Sequence, residues 1–564
     1  MKKSVLKLAT VMLVGGMVLP AISRASDEEI QKKIDKLIKE VEELKGSVKK
    51  VENKSLGKWL TIGGDYRFRY DYLKGSTKPF TDVSATFANA QNKMQQGYFS
   101  AVAAGDATQA QFWAGNIAGM TTFSQQMAGV KTYSQAQAFL GANQQLLGGL
   151  SNFAVQVPAY KPENSSLYTN RFGIDLHAKA TENITVTARL VMYKVFGSQD
   201  AAAVDATGSA PYFSDRVGVF DGTIGHVPSN SYLDVDRAYA TWSNIADQPL
   251  WLSVGRRPST NGAPSNLKLN NERPGNGGTP SLLVDYAFDG MTIGYAPDIE
   301  ALPGAYAKIC YGRGFDSGFR STPANSIADT DMVGVAIIPI DTDPLRVWLQ
   351  WNRGMNIFDF PSMSNTYFGS TSPKANLGDI DWYGAGAMST LKKVGPGNLN
   401  VFADFGLSVT HPNGNISSQA GFQGLMTGAF FQPEAPTSKT GWAVSTGLRY
   451  DLPSKTKLGF EYNHGSKDWI TFAPAADDMW TSKVGTRGNV YEGYVIQELD
   501  LKPVSSYLSK AFVRFGYQYY DFEYTGSNNW VGAPVKISDV KGQMMLLAPV
   551  KEAHDVYATF EVKF

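Results

Sequence analysis

The chain has 564 residues, with 52 Lys+Arg against 51 Asp+Glu and a net charge of +1, so no basic footprint points to nucleic acid. Charged residues make up 18% and aromatics 12%, with mean hydropathy −0.22; that profile suits strands with one face in lipid and one in water. Cys310 is the only cysteine, which excludes an internal disulfide, a C-x-x-C zinc or redox pair and C-x-x-C-H haem attachment.

Residues 1–25 combine Lys2, Lys3 and Lys7 with an apolar run from Leu8 to Leu19 and small residues Ser23 and Ala25, the layout of a secretory signal peptide. The run falls short of the roughly 20 residues a spanning helix needs. Residues 26–55 follow with Ile30, Ile34, Leu37, Val41, Leu44, Val48 and Val51 at alternating spacings of four and three, the a/d seam of a coiled coil. Asp27, Glu28 and Glu29 sit where the helix dipole favours anions. This segment is expected to self-associate in the periplasm as a rod about 40 Å long; the plainer alternative is a lone amphipathic helix.

From residue 58 the period becomes two. Leu60, Ile62, Tyr66, Phe68, Tyr70 and Tyr72 oppose Thr61, Asp65, Arg67, Arg69 and Asp71, and similar alternation recurs around residues 167–196, 399–408 and 442–451. The last stretch places Val556, Ala558, Phe560, Val562 and Phe564 on one face, against Asp555, Tyr557, Thr559, Glu561 and Lys563. Connectors alternate in length. Short ones at 181–183, 244–249, 297–304, 341–344, 392–397, 452–455 and 503–509 separate long ones at 74–166, 197–231, 259–280, 315–330, 359–379, 411–439, 470–488 and 525–552. Eight long and seven short connectors predict a 16-strand antiparallel transmembrane β-barrel over residues 58–564, with both ends periplasmic. Ser281–Ala296 is read as one strand with a bulge at Asp289–Gly290; eighteen strands is the alternative count.

In lipid an unpaired sheet edge is costly, so the sheet must close. At this strand number the interior is expected to be an aqueous channel. Tyr70, Tyr72, Trp242, Trp251, Trp351, Trp382 and Trp442 are candidates for aromatic girdles. Candidate pore-lining charges are Arg67, Arg69, Arg171, Arg189, Arg237, Arg346, Arg449 and Arg514, with Asp65, Asp175, Asp381, Asp404 and Glu461. Near balance of acids and bases predicts weak ion selectivity; wall-stiffening ion pairs are the alternative role. The connector 74–166, rich in Gln and Ala, is expected to be helical and to narrow the mouth, with a trimer latch or exposed surface as alternatives. His177, His226, His411, His464 and His554 show no metal-ligand spacing, and no nucleophile elbow or Walker A stretch occurs. No catalytic residue, metal or cofactor is expected.

The alternating strands, the terminal Phe564 and phrases such as Arg237-Ala-Tyr239 and Val254-Gly-Arg256 resemble Gram-negative outer-membrane porins of the phosphate-selective type. A coiled coil ahead of a barrel is similar to sucrose porin and to a poorly characterised porin-like family with an N-terminal helix. The resemblance implies a homotrimer in outer-membrane lipid, diffusion of small hydrophilic solutes or ions, and a C-terminal signal read by the barrel insertion machinery. It names no solute. Other readings are a barrel sheathing a separately encoded cytochrome in an electron conduit, a barrel enzyme, or a structural protein tethered to the cell wall or a periplasmic partner through the coiled coil.

Overall fold

The computed structural model describes residues 39–41, 59–196, 233–259, 262–272, 274, 282–319, 327–363, 369–473, 478–501 and 509–564. The chain divides into a unit of residues 1–61 and a unit of residues 62–564. In the first, residues 39–41 are helical and Val41 is exposed. The signal peptide and the other seam positions, Ile30, Ile34, Leu37, Leu44, Val48 and Val51, lie outside the described residues.

The strands, in chain order, are β1 (Leu60–Thr77), β2 (Phe80–Asp82), β3 (Val155–Val157), β4 (Glu163–Lys179), β5 (Ile184–Val195), β6 (Asp234–Trp242), β7 (Leu250–Ser259), β8 (Tyr286–Tyr295), β9 (Tyr306–Phe315), β10 (Thr330–Asp341), β11 (Arg346–Phe358), β12 (Asn376–Val394), β13 (Gly397–Pro412), β14 (Thr440–Asp451), β15 (Thr456–Gly465), β16 (Gly488–Glu498), β17 (Lys510–Phe522), β18 (Met544–Met545) and β19 (Val550–Lys563). Sixteen of them form one closed antiparallel barrel, each bonded to its neighbour in sequence, while β18, β2 and β3 make a small separate sheet. Closure runs through β1 and β19, from Asp65↔Lys563 to Gly75↔Ala553, and Gly64 and Phe564 exchange backbone hydrogen bonds of 2.9 and 3.0 Å.

Alternation along each strand becomes inside and outside. On β1, Arg67 and Arg69 are 1% exposed; on β19, Asp555 is 0% exposed while Val556 and Phe560 are 45% and 40% exposed. Burying charge and exposing large apolar side chains inverts the pattern of a water-soluble domain. It is the pattern of a wall whose outer surface meets acyl chains.

Strand β8 corrects one expectation. Its register runs unbroken through Asp289 and Gly290 against both β7 and β9, so no bulge exists there. The wall begins at Tyr286 rather than Ser281, because Leu282, Leu283 and Val284 leave it for an interior apolar cluster with Trp382, Trp469 and Trp530. Leu283 occupies the space that a Cβ on Gly384 or Gly406 would fill, so bare backbone at those two positions admits the segment.

The connector after β1 is helical: α1 (Val83–Ala103), α2 (Ala107–Ala128), α3 (Tyr133–Ala142) and α4 (Gln144–Leu150). Asp82, Asp106 and Thr132 cap the first three through side-chain oxygens, which satisfies otherwise orphaned N–H groups. Phe123, Phe139 and Leu150 pack with Ile416 and Phe422 of the β13–β14 connector, with Phe139 and Phe422 ring centroids 5.4 Å apart. The helices therefore rest on another loop.

Candidate functional site: a charged lumen crossed by residues 262–272

Inward positions of β13 to β19 and β1 carry a dense set of polar and charged side chains. Asn400 and Asp404 on β13, Arg449 on β14, Glu461 on β15, Glu492 on β16, Arg514 on β17, Asp555 and Glu561 on β19, and Arg67, Arg69 and Asp71 on β1 are all buried. Burial this complete has a structural cause. Residues 262–272 connect β7 to β8, half-way round the ring from β16, yet they bond to the far wall. The Leu267 carbonyl accepts from Arg449 at 2.7 Å and the Leu269 carbonyl from Lys563 at 2.8 Å, and the Lys268 carbonyl accepts from Arg514. Asn270 donates to Glu498 at 2.9 Å and accepts from Lys457 at 2.6 Å. On its apolar side, Ala263 and Leu267 pack with Ala336, Ile338, Trp348, Met388 and Phe402. The segment crosses the lumen.

At its centre the Lys268 ammonium lies 2.7 Å from Glu492 and 3.5 Å from Asp478. Lys483, from the connector between β15 and β16, lies 2.5 Å from Glu492 and also bonds Glu461. Tyr557 donates to Glu492 at 2.7 Å. Burial alone would lower the Lys483 pKa, but Glu461, Glu492 and Asp478 more than offset it and hold the pKa above the usual lysine value. Removing Lys483, the ammonium that Glu461 and Glu492 share, would leave buried charge uncompensated, at a cost of about 3–5 kcal/mol.

The arc from β4 to β7 is different. Arg189 contacts Asp65 at 2.5 Å, Asp175 at 2.8 Å and Asp236 at 3.5 Å; Arg171 lies 3.4 Å from Asp65, and Arg237 2.9 Å from Asp236. Asp175 keeps half its side chain accessible and His177 is exposed, so solvent reaches this arc.

Residues 161–564 match the family described as "Protein of unknown function (DUF3373)". The chain belongs to that family. No protein of curated function matches it in sequence. Solved structures similar to it include OmpT of Vibrio cholerae in trimer form, with TM-score 0.36 and 11% identity, covering 90% of this chain and 100% of that one. Pseudomonas putida OprB gives 0.38 and 10%, covering 90% and 95%, and an anion-selective porin from Comamonas acidovorans gives 0.38 and 9%, covering 90% and 99%. These are outer-membrane barrels; closure of the DUF3373 barrel rests on its own strand pairing.

Within the DUF3373 barrel, Arg67, Arg69, Arg171, Arg189, Arg237, Arg346, Arg449, Arg514, Asp65, Asp175, Asp404 and Glu461 occupy the inward-facing parity of their strands. Their partners are wall or loop groups: Arg346 holds Asp341 at 2.5 Å, Arg514 holds Glu561 at 2.7 Å, and Asp404 accepts from Trp348 at 2.6 Å. Asp381 differs. It is one residue from Trp382, which packs in the interior, and so points outward with Tyr383, where it accepts from Trp351 (3.2 Å) and Arg353 (3.2 Å) and contacts His411 (2.9 Å). β12 outruns the hydrocarbon at its long-loop end, so outward positions there can be polar. Two girdle candidates also turn inward. Trp382 is fully buried and donates to the Ile470 carbonyl, and Trp251 packs over Gly294 beside Arg257.

Asp71, Asp555 and Glu561 were within reach of parity, since they share faces with Arg69 and Tyr557. Lys268, Asp478 and Lys483 stand in connectors with no periodicity, and nothing local marks them as lumenal.

Proposed function

We propose that this chain is an outer-membrane channel through which small hydrophilic solutes or ions diffuse. The observation that carries the reading is a closed sheet with charge inside and exposed apolar side chains outside, a wall that insulates a polar interior from lipid. Residues 262–272 seal the β13–β19 side, so the solute path follows the arc of Arg171, Asp175, His177 and Arg237. The pore-lining role of the inward charges belongs to this proposal, as does the absence of catalysis.

The remaining organisation is proposed with it: a signal peptide at 1–25, a periplasmic coiled coil at 26–55 that joins copies of the chain, a homotrimer, and insertion guided by the strand ending at Phe564. Purified full-length mature protein added to a planar bilayer should give discrete conductance steps. A protein that inserts and stays electrically silent, with or without candidate solutes, refutes the channel.

A further inference from the structure

At the long-connector end of the barrel, a cavity of about 250 Å³ separates two apolar clusters. Phe360, Trp530 and Val531 on one side belong to the cluster of Trp382 and Trp469; Trp480 and Phe522 on the other pack with Leu73 and Tyr520. A third side is Met544, Met545, Leu546 and Leu547, four consecutive apolar residues that are each only half-buried. Asp359 and Arg487 are the charged side chains among the described lining residues, and they are 2% and 1% exposed. Asp359 accepts from the Lys374 backbone N–H (2.9 Å), the Ser417 hydroxyl (2.7 Å) and the Gln419 amide (3.0 Å). Arg487 donates to the carbonyls of Trp469 (2.9 Å), Thr525 (3.1 Å), Gly526 (2.7 Å) and Asn529 (2.8 Å) and to Met426 Sδ (3.2 Å). These five bonds use every N–H of the guanidinium and pin residues 525–529 as a fixed wall. Gln432 and Gln543 are exposed and Tyr524 is half-buried, so hydrogen-bonding groups stand at the rim.

Protein interiors leave few gaps larger than a water molecule, so a space this size between two packed clusters, with one wall held rigid, has the build of a ligand site. An apolar cavity of about 150 Å³ already takes benzene. A charged ligand would lose its hydration here and meet no available opposite charge, because Asp359 and Arg487 are both fully engaged. Methionine is unbranched and polarisable, so Met544 and Met545 let the third side mould itself to a ring. We propose that this cavity binds one small uncharged organic molecule about the size of a substituted benzene, its apolar body between Trp530 and Met545 and its polar group at the Tyr524 rim. The site needs only the barrel and its connectors and does not depend on the channel reading.

The test is anomalous diffraction from crystals of the full-length protein soaked with 4-bromobenzyl alcohol or, in parallel, with 4-bromobenzoate, a carboxylate on the same ring. A bromine peak between Trp530 and Met545 is expected with the alcohol and absent with the carboxylate. Ala548→Trp should fill the space and Met545→Asp should set a charge on the apolar wall. Each should remove the alcohol peak, while the same density maps show whether the barrel and residues 525–531 keep their places. No alcohol peak in the cavity of the parent protein overturns the proposal. A benzoate peak of equal height overturns it too, as does an alcohol peak that survives both substitutions.

Discussion

Replacing Lys268 by Met tests whether residues 262–272 hold the lumen narrow. The substitution keeps the aliphatic stem and removes an ammonium 2.7 Å from Glu492, 3.5 Å from Asp478 and 5.4 Å from the Tyr557 ring centroid. Glu492 keeps Lys483 and the Tyr557 hydroxyl, so the wall is not stripped of its counter-charge. The loss is therefore that of a charge-assisted hydrogen bond, about 1.5–3 kcal/mol, with about 0.5–1 kcal/mol for the cation over the ring. A loss of about 2–4 kcal/mol shifts the balance between seated and displaced segment by roughly 30- to 1000-fold, at 1.4 kcal/mol per factor of ten. Single-channel recording in planar bilayers should show larger or more frequent openings than the parent protein. Electrophoresis of unheated samples checks that the barrel is still folded. Unchanged amplitude and open probability in a folded Lys268→Met barrel would refute the idea that this segment restricts passage.

Asp404 is buried; its Oδ1 accepts from the Trp348 indole, and among the described residues its Oδ2 has no donor. Asp404→Asn keeps that acceptor and removes the charge, so the thermal midpoint should equal or exceed the parent's, while Asp404→Ala should cost about 1–3 kcal/mol; a large loss in the Asn variant would contradict this. Excising residues 85–153 should leave conductance nearly unchanged, because α1–α4 rest on the β13–β14 connector, but proteolysis near Ile416 and Phe422 should quicken. A conductance change on excision would support the mouth-narrowing role expected from the sequence. Lys455, in the short turn between β14 and β15, bonds Asp500, just beyond the end of β16, at 2.6 Å, lowering the Asp500 pKa and raising that of Lys455. The Asp500 contribution is present above its unfolded pKa and lost as pH falls through the lower folded one; the Lys455 contribution is lost as pH rises through its raised pKa. Both side chains are well exposed, so Asp500→Asn should leave the thermal midpoint at neutral pH unchanged, and a measurable drop would show the pair to be stabilising.

The wall was legible because a strand period of two is local. Any stretch that must show one face to lipid and one to a polar lumen writes that demand into consecutive residues, as Asp65 to Tyr72 and Asp555 to Phe560 do. Turn positions were legible for the same reason. Parity failed where it was read by residue type instead of by register: Trp382 looked like a girdle residue and Asp381 like a lumen residue, but neighbours Ile380 and Gly384 place them the other way round. The error arises because β12 is longer than the hydrocarbon is thick, and beyond the lipid edge an outward carboxylate costs little.

The sequence by itself determined sixteen strands, their order, the closure of first strand on last and the polarity of each face, all consequences of backbone pairing in lipid. What fills the cylinder was decided only by tertiary structure. Residues 262–272 meet Arg449, Arg514 and Lys563 across roughly 180 to 290 positions of chain, and Lys483 meets Glu461 and Glu492 from a connector of its own. No periodic signal marks such contacts, because they depend on which loop turns inward and on the far wall it then finds.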